Sequence, residues 1–243
     1  MWVGLILATS GIGCDRLPGR PEEADRFVRP DRLLDPDALL ARHCTGCHGE
    51  PGRIGPARDL GDPLYLAWIG RPGFRRTTEE GVAGTPMPAF ARSAGGPLTD
   101  RQIAALVDGL YARHGDAAAG FAAELPPASE SEARRRGLEP GDPARGEIVF
   151  GERCSSCHGG LGGVGGSVTD PAYLALTSDA ALRSAVVVGR PELGMPPFRG
   201  YEGEPALGDQ EISDVVAWLA AQRPERPSEE RRSAAAGLPR SEP

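Results

Sequence analysis

The chain has 243 residues, a formal net charge of −7, and 27 basic residues that are all arginine. It is 40% hydrophobic but only 5% aromatic, with 34 Gly and 24 Pro, which fits one or two small loop-rich domains better than a single large aromatic core. The charge excludes a basic nucleic-acid footprint, favours partners with a basic docking patch, and leaves no lysine to ligate a metal.

The first thirteen residues, MWVGLILATSGIG, carry no charge. Their apolar run from Trp2 to Leu7 is too short to span a bilayer and reads as the core of a secretory signal. The Gly-Ile-Gly-Cys ending at Cys14 resembles a bacterial lipoprotein cleavage box, with Gly11 where that family usually places Leu. The resemblance implies a lipid on Cys14 and a chain anchored to a membrane on the periplasmic side of a bacterial envelope. The alternative is a buried N-terminal strand with an incidental thiol. Residues 1–30 are expected to be leader and extended tether, since DRLPGRPEEADRFVRP is polar, proline-rich and without apolar period.

Two similar segments follow, 31–114 and 142–224. They are joined by a Pro-, Ser-, Glu- and Arg-rich linker at 115–141 and followed by a highly charged tail at 225–243 with the composition of disorder. His48 and His158 are 110 positions apart, Met87 and Met195 108, and Ile103 and Ile212 109. DPLYLA at 62–67 and DPAYLA at 170–175 also differ by 108. A nearly constant offset across four landmarks indicates a duplicated domain.

Each repeat predicts an opening helix, DPDALLARHC and DPARGEIVFGERC, with Asp-Pro as the start signal and Ile148 beside Val149 on one face of the second. Each closes with a helix at 3.6-residue spacing. In the first the apolar positions are Leu98, Ile103, Leu106, Val107 and Leu110; in the second they are Leu207, Ile212, Val215, Val216 and Leu219. The second repeat carries a further helix in TSDAALRSAVVVG, which the first lacks, carrying WIGRPGFRRTTEEGVAG there instead. No alternating strand is evident, so the fold class is all-α, a small helical domain in tandem.

Four of the five cysteines lie in two Cys-x-x-Cys-His strings, Cys44 and Cys47 before His48, and Cys154 and Cys157 before His158. The string is a haem attachment signature: each thiol adds to one vinyl group and the next residue's imidazole reaches the iron. Structural zinc needs four ligands per site, and each repeat supplies two thiols and one His, with His43 and His114 as extras in the first and none in the second. A thioredoxin-like pair belongs on a βαβ pattern, which is absent.

Both segments resemble class I bacterial cytochrome c domains, so the chain is similar to a dihaem cytochrome c with two covalently held haem c groups. The resemblance implies that Met87, in GTPMPAF, and Met195, in LGMPPF, are the sixth ligands opposite His48 and His158. His43 and His114 are the alternative imidazoles. It also implies that Gly146 and Phe150 mark a close helix crossing with Trp218 as partner, where the first repeat has Pro36 and Leu40 instead. It further implies that Pro56 offers its carbonyl to His48, with the partner of His158 left open, and that Arg71 and Arg190 contact propionates or simply face solvent. A closed six-ligand iron passes electrons rather than activating substrates. The expected function is a membrane-tethered relay of single electrons between redox partner proteins, or a subunit of a respiratory or photosynthetic complex. The alternative is a dihaem oxidoreductase, peroxidase-like or thiosulfate-oxidising, with one open iron; a docking module with structural haems is a third class.

Overall fold

A computed structural model describes residues 27–50, 53–121, 125–160 and 163–224. Cys14 and most of the expected leader, and the expected tail after Pro224, lie outside the described residues. The chain divides into two compact units, Met1–Leu33 and Leu34–Pro243. Of the first, the described part is 27–33, with a 3-10 turn over Pro30–Arg32. From Leu34 onward, both repeats and the segment between them lie in the second unit.

The first repeat runs through α1 (Pro36–His43), α2 (Thr45–His48), a hairpin of β1 (Gly49–Glu50) and β2 (Arg53–Ile54), α3 (Pro63–Glu80) and α4 (Asp100–Ala119). The connection carries α5 (Glu130–Arg135). The second repeat has α6 (Pro143–Arg153), α7 (Ser155–His158), α8 (Pro171–Ala175), α9 (Asp179–Val188) and α10 (Asp209–Ala221). The all-α expectation holds, and the two-residue strands pair antiparallel, Gly49 with Ile54 and Glu50 with Arg53. No helix among the described residues is long and apolar enough to cross a membrane.

Helix starts follow the capping chemistry. The Asp35 carboxylate accepts from the Ala38 N–H at 2.8 Å, and Asp142 accepts from Ala144 and Arg145. At α4, Thr99 and Gln102 form a reciprocal capping box. At α10, Gly208 has no side chain to contribute, and its N–H donates to the Glu211 carboxylate at 2.7 Å.

The apolar stripes face inward: Leu98, Ile103, Leu106, Val107 and Leu110 are buried in the first repeat, and Ile212, Val215, Val216 and Leu219 in the second. Val149 is buried, but Ile148 is 61% exposed, because consecutive helical residues point about 100° apart. The missing helix of the first repeat is present. α3 breaks at Gly70, whose φ of 63° and ψ of 162° are non-helical, and Pro72 starts the second half. The two halves of α3 thus correspond to α8 and α9. α4 also runs past Arg113 to Ala119, so His114 is inside the helix, half-buried beside Gly61.

The opening and closing helices of each repeat cross closely. A Cβ on Gly146 would lie 2.0 Å from the Asp214 carbonyl oxygen, and Phe150 packs on Trp218 with ring centroids 4.3 Å apart. In the first repeat α1 meets α4 at Pro36 and Gly109. The connection is held to both repeats. Trp68 Nε1–H donates to the Pro126 carbonyl at 2.9 Å, and the buried Arg183 pairs with Glu130 of α5 while donating to Ser213 Oγ at 2.9 Å.

Candidate functional site

Each Cys-x-x-Cys-His string forms a single helical turn, α2 or α7. Cys47 and His48 both donate their N–H to the Cys44 carbonyl, at 3.1 and 2.9 Å, and Cys157 and His158 do the same to Cys154 at the same distances. Residues three and four apart share a helix face, so the two thiols and the imidazole of each string stand together. None of the four cysteines is paired in a disulfide. Burial pushes the Cys44 thiol up to about 11, and the neighbouring Cys47 adds to that; burial also raises Cys154. Cys44 and Cys154 thus lack the lowered pKa of a redox-active thiolate.

The loop after each histidine returns to the same two atoms. In the first repeat Ala57 N–H donates to the Cys47 carbonyl at 2.9 Å, and His48 Nδ1 lies 2.6 Å from the Arg58 carbonyl. In the second, Gly165 N–H donates to Cys157 at 3.0 Å, and His158 Nδ1 lies 3.0 Å from the Gly166 carbonyl. A carbonyl only accepts, so Nδ1 carries the proton in both rings and leaves the Nε2 lone pair free. Burial lowers the His48 pKa and keeps the ring neutral. The partner of His48 is therefore Arg58 rather than Pro56, whose carbonyl receives Arg190 instead. A methyl group on Gly165 would sit 2.4 Å from the His158 ring, so only glycine lets that loop pass.

Fifty-eight to forty-eight is ten positions, and 166 to 158 is eight. The first loop is two residues longer because it contains the β1–β2 hairpin. That insertion is why the repeat offset falls from 110 at the histidines to 108 at the methionines.

The two methionines occupy matching loops. α3 ends at Gly81 and α9 at Gly189, with φ of 72° and 69°. A Cβ on Gly81 would lie 2.7 Å from the Met87 carbonyl oxygen, and one on Gly189 would lie 2.6 Å from that of Met195. Val82 N–H donates to Met87 O at 3.1 Å, and Arg190 and Met195 exchange both backbone bonds at 3.0 Å. Each methionine thus follows a positive-φ glycine cap and precedes proline, which fixes its backbone.

The remaining candidates are placed elsewhere. Arg71 pairs with Asp108 at 2.7 Å and lies over the Tyr111 ring, 4.7 Å from its centroid. Arg190 pairs with Glu192 and reaches the first repeat's loop. His43 is half-buried, edge-on to Phe90 at 6.3 Å, and burial lowers its pKa. No group of three or more His, Cys, Asp or Glu side chains that could hold a bare metal ion occurs among the described residues.

The family described as cytochrome c oxidase, cbb3-type, subunit III, matches residues 31–108 and 141–219, together more than half of the chain. The chain belongs to that family. No curated protein matches it. As a cbb3-type subunit III relative it consists of two cytochrome c domains in tandem, and cytochrome c domains bind haem c and transfer electrons. The residues fit that group. The thiols sit three apart on one turn, and the neutral imidazole has its far nitrogen bonded and its near nitrogen free. Arg58 and Gly166 were not legible as partners, since a backbone carbonyl leaves no mark in a sequence. The glycines at 81 and 189 were legible in principle, each six residues before a Met-Pro.

Proposed function

We propose that the chain is a dihaem electron carrier, with one haem c at each repeat. Cys44 and Cys47 hold the first through thioether bonds and Cys154 and Cys157 the second. His48 and His158 would each ligate the iron of their haem through Nε2, and Met87 and Met195 would each supply a thioether ligand. Such a haem supplies an iron that takes up and gives back one electron. The Arg58 and Gly166 carbonyls orient each imidazole and increase its donor strength. The prolines after each methionine and the glycine caps beneath them hold the thioether in place, and a Met ligand favours the reduced state. With a histidine and a methionine as its ligands, such a group would supply outer-sphere electron transfer rather than substrate binding.

One observation carries this reading: the chain builds the same histidine–carbonyl bond and the same capped methionine loop twice, at positions 108 to 110 apart. The test is a haemochrome assay with visible spectra of the ferric and ferrous protein. Two haems per chain, each ferric one with a methionine–iron band, are expected. Met87→Ala and Met195→Ala each remove half of that band. A high-spin ferric signal in the wild type would sink the carrier reading in favour of an enzyme with an open iron.

The carrier works beside a membrane, tethered through a lipid on Cys14 on the periplasmic side of a bacterial envelope, and serves a larger electron-transfer complex. Family membership and the lipoprotein-like Gly-Ile-Gly-Cys support this. Mass spectrometry of the mature N-terminus, with Cys14→Ser moving the protein out of the membrane fraction, tests it.

A further inference from the structure

Two arginines tie the histidine loop of the first repeat to the methionine loop of the second, each reaching the opposite way. Arg58, whose carbonyl receives His48 Nδ1–H, sends its side chain across: Nε donates to Ser184 Oγ at 3.0 Å, Nη2 to Ser184 O at 2.9 Å, and Nη1 to Gly189 O at 3.0 Å. Arg190 sends Nη2 to Gly55 O at 3.1 Å and Nη1 to Pro56 O at 3.2 Å, while its own backbone pairs with Met195. The acceptors of Arg58 lie at the C-terminal end of α9, where a cation complements the helix dipole. Gly189 is the cap on which Met195 rests. One residue therefore touches the support of a ligand in each repeat: its backbone holds an imidazole, and its guanidinium holds the cap beneath a thioether.

We propose that Arg58 is a positioning residue shared by both haem sites, so that its loss is felt at both irons rather than at one. The inference rests on the axial-ligand reading above. The planar fork matters, because three donors in fixed geometry reach three acceptors at once, which a lysine ammonium on a flexible stem does not reproduce. The positive charge is also held between the two repeats, where it favours the reduced form of each iron.

The experiment is a potentiometric titration of the full haem-loaded chain, followed in the visible spectrum. Arg58→Gln is expected to lower both midpoint potentials, by roughly a tenfold change in the electron equilibrium, about 59 mV for one electron. Arg58→Lys is expected to recover only part of the fall. Arg53→Gln, on the same loop but exposed and paired with Glu50, is expected to leave both midpoints in place. Should Arg58→Gln fail to hold haem, Arg190→Gln opens the clasp from the other side and is expected to move both midpoints as well. A shift confined to one haem, or none, overturns the inference while leaving the ligand assignment standing. A wild-type ferric spectrum without the methionine–iron band overturns the ligand assignment first, and the inference with it.

Discussion

A Cβ on Gly109 would lie 2.4 Å from the Cβ of Pro36, so α4 has to be bare where α1 crosses it. Counted from the cysteines, Pro36 stands 110 positions before Gly146; counted along the closing helices, Gly109 stands 109 before Trp218. The two crossings carry their bulk on opposite helices. Proline on the opening helix faces glycine on the closing one in the first repeat, and glycine faces tryptophan in the second. The requirement at both is the same, one missing side chain where two helices approach.

Alanine at either glycine should destabilise. Helix propensity favours alanine by about 1 kcal/mol, but overpacking costs about 1–3 kcal/mol and is worst against backbone. Gly146→Ala meets the Asp214 carbonyl at 2.0 Å and belongs at the upper end; Gly109→Ala meets a proline ring that can shift slightly. Pro36→Gly should rescue Gly109→Ala, whereas Pro36→Ala should not, because the clashing Cβ remains. Thermal unfolding of the four variants decides it, and rescue by Pro36→Ala would refute the crossing geometry.

The glycine caps make a prediction about spectra. Gly81 and Gly189 have φ near +70° and press against the Met87 and Met195 carbonyls. Alanine there adds about 1–3 kcal/mol of strain in a positive-φ, extended conformation that only glycine adopts readily, and a clash with the methionine loop. Gly81→Ala should weaken the methionine–iron band of one ferric haem and Gly189→Ala that of the other. Both proteins should keep haem, since the cysteines are untouched. A full-strength band in both variants would show that the caps do not position the thioethers.

Much of this was legible before any coordinates. The apolar periods of α4 and α10 named their buried faces, and the repeated spacing named both thiol–imidazole sites. The signals that failed share a physical origin. The second half of α3 was hidden because Gly70 and Pro72 read as breakers, yet glycine permits the kink and proline starts the next turn. The resemblance implied the Pro56 carbonyl as the partner of His48, but the bond goes to the carbonyl two residues later. Arg58 lies 126 positions from Ser184 and 131 from Gly189, a separation no local pattern encodes.

Arg183 sets up a test of the connection between the repeats. Its side chain is 2% exposed and paired with Glu130, and Nη1 has no partner among the described residues. Glu130→Gln should destabilise by about 2 kcal/mol, because it weakens a charge-assisted bond and leaves a buried cation less satisfied. Arg183→Met removes the cation itself and leaves Glu130, which reaches solvent, unharmed. It should be the milder change. Equal losses in chemical denaturation, or a larger loss for Arg183→Met, would contradict this account.

Asp214 gives the second repeat an acid-sensitive joint. Its carboxylate accepts from Arg145 Nε at 2.7 Å and Nη2 at 2.9 Å, from Asp142 N–H at 2.8 Å and from Gln210 Nε2 at 3.0 Å. Burial by itself raises its pKa, but the bonds from Arg145, Asp142 and Gln210 together outweigh burial and hold it below the ordinary aspartate value. The unfolded chain, at about 3.9, therefore takes up the proton first. The stabilisation is complete above about pH 4 and is lost as pH falls through the lower folded value. Asp214→Asn, similar in shape but without the charge, should melt below the wild type by a constant margin from pH 5 to 7. The margin should shrink as pH drops below about 4. A margin that stays fixed down to pH 3 would mean that the ionised carboxylate contributes nothing where α6 meets α10.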